Sequence, residues 1–288
     1  MSTVQSLLDN LQFRVDTTAD LYHLINLAIR RIATRLYWHK SNIIVDEFSL
    51  NLYAPVEYAA DTIALVNSNP DTITDSAEQL VDEGFKSGMF IETDHASNTG
   101  AYEINTVAAG TITLVSADNL TAVTAGSEIT ITSLADRVSL PSDFWGLCGD
   151  GKEDYPNIDG QTDVLLPLPS RKTALEAGSA STPEYFIIKG TRMFFSPSTG
   201  SDIVIKGDYF KRPAALSALT DTVPFNELFD DAICEAVALL YEKGLSSQAE
   251  NETLLDKVLF NTVDMIVPGY GRRASTGAQG GIDWASFT

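Results

Sequence analysis

The sequence predicts an α+β protein. A helical scaffold, in which an N-terminal helix packs with a C-terminal helix pair, carries a β-hairpin region and an inserted small β-barrel or sandwich module. Three observations predict it. Apolar residues recur at three- and four-residue steps from about Thr18 to His39. Short alternating runs separated by Asn, Asp, Gly and Ser turns fill Val56 to Ser133. Helical spacing returns after Pro224. The implied domains are 1–55 with 134–268 as the core, 56–133 as the inserted β module, and 269–288 as a flexible docking tail.

The first helix has Asp16 or Thr17 as its cap and Asp20 at the positive end of its dipole. Leu21, Leu24, Ile25, Ala28, Ile29, Ile32 and Leu36 form one face. Leu27 and Trp38 stand eleven residues apart, close to three full turns, and so share a second stripe with Arg31. That stripe suits either an intramolecular contact or a contact between subunits. Arg30, Arg31 and Arg35 form either a solvated basic face or partners for a neighbour's acids. A strand from Ile43 to Tyr53 follows, and then the β module.

After the module, DRVSLPSDFWGL reads as a strand ending in the apolar cluster Phe144, Trp145 and Leu147. GDGKEDYPNIDGQTD reads as an exposed polar loop, and a short element is expected around Arg171 to Ala177. EYFIIKG, RMFFSPS and DIVIKGDYFKRP read as a hairpin and a third strand, from their β-branched and aromatic content. Phe225 to Lys243 reads as a deeply packed helix that ends at Gly244. Ser247-x-x-Glu250 reads as a capping box that opens a second helix, stopped by Pro268-Gly269. The Gly-rich tail still contains Tyr270, Trp284 and Phe287, aromatics that a free tail has little reason to keep.

Composition narrows the function. The chain has 288 residues, 44% hydrophobic and 20% charged, as folded soluble proteins do. It has no apolar run long enough to cross a bilayer, and the N-terminus lacks the basic and apolar regions of a signal peptide. Cys148 and Cys234 are far apart; Cys234 falls on an apolar helix, which suggests a buried thiol in a reducing compartment. Net charge is −20, which opposes tight binding of nucleic acid over the whole surface. Between Glu57 and Glu128 stand twelve acids and one base, Lys86, so this module carries over half of the excess.

No catalytic signature accompanies this organisation. His23, His39 and His95 lack metal-ligand spacing, and no CxxC, HExxH, GxSxG, Walker A or GxGxxG motif occurs. Asp154, Asn157 and Asp159 before Gly160 match a calcium loop only faintly, with the wrong spacing for an EF-hand. Carboxylate pairs are expected by chance among 39 acids, and a glycosidase also needs a sugar-sized cleft lined with aromatics, which sequence cannot locate. The expectation is a protein that is not an enzyme and needs no cofactor or metal.

Three strings carry a resemblance. LINLAIRRIATRL lies on the first helix, and VSLPSDFWGL follows the β module. EYFIIKGTRMFFSP, DIVIKGDYFKRP and the run to LYEKG cover the hairpin, the third strand and the later helix. In this order they resemble head-to-tail adaptor (connector, head-completion) proteins of tailed bacteriophages. DEGFKSGMFIE and AYEINTVAAGTITL look like small β domains of phage structural proteins.

The resemblance implies a virion protein at the head–tail interface, assembled in the host cytoplasm. It would form a dodecameric ring beneath the portal protein, extend the DNA channel and receive a tail nozzle or tube protein. DNA would pass without specific binding, and no membrane is involved. The C-terminal segment would reach the portal through Tyr270, Arg272, Arg273, Trp284 and Phe287, while Leu27, Arg31 and Trp38 become subunit-contact residues. The inserted β module departs from the smallest adaptors. The rival reading is a carbohydrate-binding or carbohydrate-degrading virion protein that uses the β module.

Overall fold

A short amphipathic helix opens the described chain: α1, Val4–Leu11, buries Val4, Leu7 and Leu11. Thr3 and Ser6 cap it reciprocally. The Ser6 amide donates to Thr3 Oγ1 at 3.4 Å and the Thr3 amide to Ser6 Oγ at 3.1 Å, a capping box with serine in place of the usual Glu. The computed structural model describes residues 2–11, 21–38, 44–115, 119–148, 155–168, 182–225 and 227–243. The chain divides into two compact units, Met1–Val45 with Lys211–Thr288, and Asp46–Phe210.

The first unit is helical. In α2, Leu21–Trp38, the expected stripe is buried at Leu21, Ile25, Ala28, Ile29, Ile32 and Leu36 and half-buried at Leu24, and Ala33 joins it. The later helix begins with a 3-10 turn, Glu227–Phe229, and continues as α3, Asp230–Lys243. It buries Phe229, Ala232, Ile233, Cys234, Ala236, Val237 and Leu240, and packs against both α1 and α2. The Asn26 side chain pairs with the backbone of Leu216, donating to its carbonyl and accepting from its amide, each at 2.8 Å. Thr3 and Thr222 form an antiparallel bridge that fixes the start of α1 beside the approach to α3.

Among the described residues the regular elements of the second unit are all β-strands. Seven antiparallel strands are β2 Glu57–Ala60, β3 Ile63–Val66, β4 Thr72–Asp75, β5 Phe90–Thr93, β6 Tyr102–Ala108, β7 Thr111–Leu114 and β8 Ile129–Ser133. They form one sheet in the order β2-β8-β5-β6-β7-β4-β3. Its two outermost strands, β2 and β3, are consecutive and joined only by Asp61-Thr62, so the sheet must roll up to bring them together. Isoleucines and leucines alternate inward, among them Ile63, Leu65, Ile73, Ile91, Ile104, Ile112, Ile129 and Ile131, and fill the barrel with Phe85, Met89 and Tyr102.

Residues on either side of the barrel sequence build a sandwich. One sheet joins β1 Val45–Leu52, β15 Ile203–Lys211 and β10 Phe144–Leu147, with β11 Asn157–Ile158 also on β15. The other runs β12 Leu166–Pro167, β13 Tyr185–Lys189, β14 Arg192–Ser196 and β9 Arg137–Ser139. Phe48, Leu52, Ile205 and Tyr209 from the first sheet share a core with Val138, Phe186, Met193 and Phe195 from the second.

These sheets correct the expected fold class. Strands account for 37% of the described residues and helices for 20%, so the protein is mostly antiparallel β-sheet and not a helical scaffold with a small β module. The reason is local. The runs around Phe48, Phe144, Phe186 and Tyr209 pair with one another in two sheets and bury their own core, so they do not decorate helices. The expected exposed loop 149–163 also contributes β11, with Ile158 buried. The expected element at 171–177, the second C-terminal helix and the tail lie outside the described residues.

Candidate functional site

Sequence pointed first to α2. Leu27 is half-buried and Arg31 exposed, four residues apart on the same side of the helix and away from the buried stripe. Trp38 is the last residue of α2, and its side chain lies outside the described residues, as do Tyr270, Arg272, Arg273, Trp284 and Phe287. His23 is exposed on α2, and His95 lies half-buried in the loop after β5. Among the described residues no group of three His, Cys, Asp or Glu side chains is arranged to hold a metal. No described helix is long and apolar enough to cross a membrane.

The barrel's polar chemistry is committed to its own closure. Asp75 is buried inside the end of β4. Its carboxylate accepts from the Thr62 hydroxyl, from Tyr58 Oη at 3.2 Å, and from the amides of Ala77 and Gln79 at 3.0 Å. Burial alone would raise its pKa; the hydrogen bonds from Thr62, Gln79, Ala77 and Tyr58 outweigh burial and hold it below the ordinary value. The loop it gathers includes Glu78, whose φ of 58° lies in the left-handed region.

A second set of contacts fastens residues 119–126 along the free edge of β3. Leu65 and Val123 exchange backbone hydrogen bonds at 2.9 and 2.8 Å. Buried Asp71 accepts from the Leu120 amide, and buried Asn98 both accepts from the Thr121 amide and donates to its carbonyl. The Gly126 amide donates to the Asp61 carbonyl at 2.8 Å. The sheet edge that would otherwise be open is thereby covered.

The outward rows of the barrel differ in charge. Across β2, β8 and β5 the outward register sets Glu57 and Glu92 on either side of Thr132, and Asp94 accepts from the neighbouring Thr130 amide at 2.9 Å. Across β3, β4, β7 and β6 the outward rows are Val66–Thr72–Thr113–Thr106 and Ala64–Thr74–Thr111–Ala108, without a charge. Of the acids legible in the sequence, Asp71 and Asp75 are internal acceptors, while Glu57, Glu92 and Asp94 lie on the β2–β8–β5 wall.

The barrel joins the sandwich through polar and cation–π contacts. Lys86 pairs with Asp202 and lies 5.2 Å from the Tyr53 ring centroid. Asp202 also accepts from the Ala54 amide at 2.9 Å. The Lys86 bond, then the Ala54 amide, hold the Asp202 carboxyl below its usual range. Arg192 lies 4.5 Å over buried Phe90, and Ser139 donates to Glu103 at 2.7 Å.

The sandwich carries a groove of about 490 Å³ beside β1, β11 and β15, lined by Glu47, Phe48, Ser49, Tyr155, Asn157, Val164, Lys206, Gly207 and Asp208. Gly207 is forced by packing, because a Cβ there would stand 2.8 Å from Phe48 Cζ. The Tyr155 ring is held edge-on to Phe186 at 6.0 Å between centroids. Lys206 Nζ is paired to Asp159 at 2.9 Å. Alternation in VDEFSLNL and IVIKGDYFK turns Glu47, Ser49, Lys206 and Asp208 outward, but only the pairing of β1 with β15, some 160 residues apart in sequence, brings them together.

Among the described residues, the fold comprises three helices in one unit and a barrel and a sandwich in the other. No protein-family model matches the chain, and no curated protein matches it.

Proposed function

We propose that this chain is a structural subunit of a tailed-bacteriophage virion, a head-to-tail adaptor that forms a ring beneath the portal, extends the DNA channel and receives the tail. The observation that carries this reading is the order of the three adaptor-like strings along the chain. They coincide with α2, with β9–β10, and with β13–β15 followed by α3. Each string contributes core residues, such as Ile29, Val138, Phe186 and Ile233. The committed polar groups of the barrel add support: Asp71, Asp75 and Asn98 hold loops and are spent on structure.

In a ring, binding energy is spread over shared surfaces, and each buried apolar side chain contributes roughly 1.5–3 kcal/mol. The half-buried Leu27 beside Arg31 suits such a surface. Cryo-electron microscopy of particles tests the reading. The expected result is a ring of this chain at the portal vertex; its presence elsewhere, or its absence, overturns the assignment. Leu27→Asn is expected to weaken ring assembly while leaving the thermal midpoint of the free chain nearly unchanged. A large loss of monomer stability would instead make Leu27 a core residue.

A further inference from the structure

We propose that the groove on the sandwich is a binding site for neutral, hydroxyl-rich sugar chains. Its volume of about 490 Å³ falls within the range of small-molecule sites. One wall is an aromatic ring, Tyr155, whose orientation is fixed by its T-shaped contact with Phe186. Such a ring accepts the apolar face of a pyranose by stacking. Gly207 also lines the groove, and a Cβ there would run into the Phe48 ring.

Polar groups surround that platform. Glu47 and Asp208 are exposed carboxylates, and Ser49 and Asn157 add a hydroxyl and an amide. Carboxylates accept charge-assisted hydrogen bonds from sugar hydroxyls. Among the described lining residues the single cation, Lys206, is paired with Asp159. The charge left in the groove is negative, which disfavours phosphates, nucleic acids and acidic sugars. A neutral oligosaccharide combines an apolar ring face with a periphery of hydroxyl donors, and the groove offers a counterpart to each.

Isothermal titration calorimetry of the full chain against maltohexaose, cellohexaose, chitohexaose and hexagalacturonate tests this. At least one neutral hexamer is expected to bind and hexagalacturonate is not. Tyr155→Ala should weaken binding by roughly tenfold and Tyr155→Phe should retain it, since stacking needs the ring and not the hydroxyl. Glu47→Gln, an exposed change that leaves the core intact, should also weaken it, and Lys86→Gln at the barrel joint should not. Failure of all three neutral sugars to bind overturns the proposal. So does equal binding of hexagalacturonate, or neutral binding that neither Tyr155→Ala nor Glu47→Gln alters.

Discussion

The barrel and the sandwich lie in one unit and are built largely from antiparallel strands, yet they are held together by different chemistry. The barrel closes on buried polar side chains: Asp75 gathers the loop after β4, and Asp71 and Asn98 fasten residues 119–126 over the edge of β3. Among the described residues, the two buried acids are both in the barrel. The sandwich closes on rings. Tyr209 stacks on Phe144 at 5.6 Å and lies 6.1 Å from Phe48, which in turn packs over Gly207. A hub of hydrogen bonds fixes loops in single positions, because each unmade bond would leave a buried polar group unsatisfied. Packed rings tolerate an uneven outer surface, and the groove lies in that surface.

The largest break in this comparison is expected from Asp75→Ala. It leaves the Tyr58 and Thr62 hydroxyls and the Ala77 and Gln79 amides without their acceptor, at a cost on the order of 3 kcal/mol or more. Urea denaturation followed by barrel-specific hydrogen exchange measures it. An unchanged midpoint would mean that the loop refills the site without its hub.

Gly207→Ala is the matching test in the sandwich. The new methyl would meet Phe48 Cζ at 2.8 Å, and overpacking of this kind costs about 1–3 kcal/mol. The loss should appear in the exchange of β1 and β15 and spare the barrel strands.

Acid should separate the two bodies more gently. The folded pKa of Asp75 lies below its ordinary 3.8, so its contribution is complete above that value and is lost as pH falls through the folded pKa. In the sandwich, burial first and the hydrogen bond to Asp143 second raise the Tyr209 pKa, so this phenol stays protonated throughout acid conditions. Amide exchange at pH 3 against pH 6, corrected for intrinsic rates, should show protection lost in β3 and β4 before β15. Loss in the reverse order would remove Asp75 as the acid-sensitive element.

The smallest effect is a gain. Glu78 is exposed and held at φ 58°, so Glu78→Gly should stabilise the barrel by about 0.5–1 kcal/mol through relief of the left-handed conformation. A destabilised variant would show that the Glu78 side chain does more than occupy the turn.

Much of this was legible in the chain. The inward stripe of α2 and the strands around Phe186 and Tyr209 follow from periodicity, and so does the barrel's alternation at Ile63, Leu65, Ile73, Ile112 and Ile131. α1 was overlooked although Val4, Leu7 and Leu11 carry helical spacing and Thr3 and Ser6 a cap, because its eight residues are barely two turns. Nothing local distinguishes Asp71 and Asp75 from Glu57 or Glu92. The difference arises only when the loops that need an acceptor fold over them. The groove was illegible for a related reason, since Glu47, Tyr155 and Lys206 belong to three separate strings.

The sequence by itself determined which residues face inward and where most strands and helices lie, because side-chain periodicity and turn chemistry act over a few residues. Tertiary structure alone decided that strands on both sides of the barrel would form a sandwich with its own core. It also decided that two aspartates would become internal acceptors and that the groove beside β1 and β15 would stay open. Each of these depends on partners tens to hundreds of residues apart, and such pairings are selected by burial and hydrogen bonding in the folded chain.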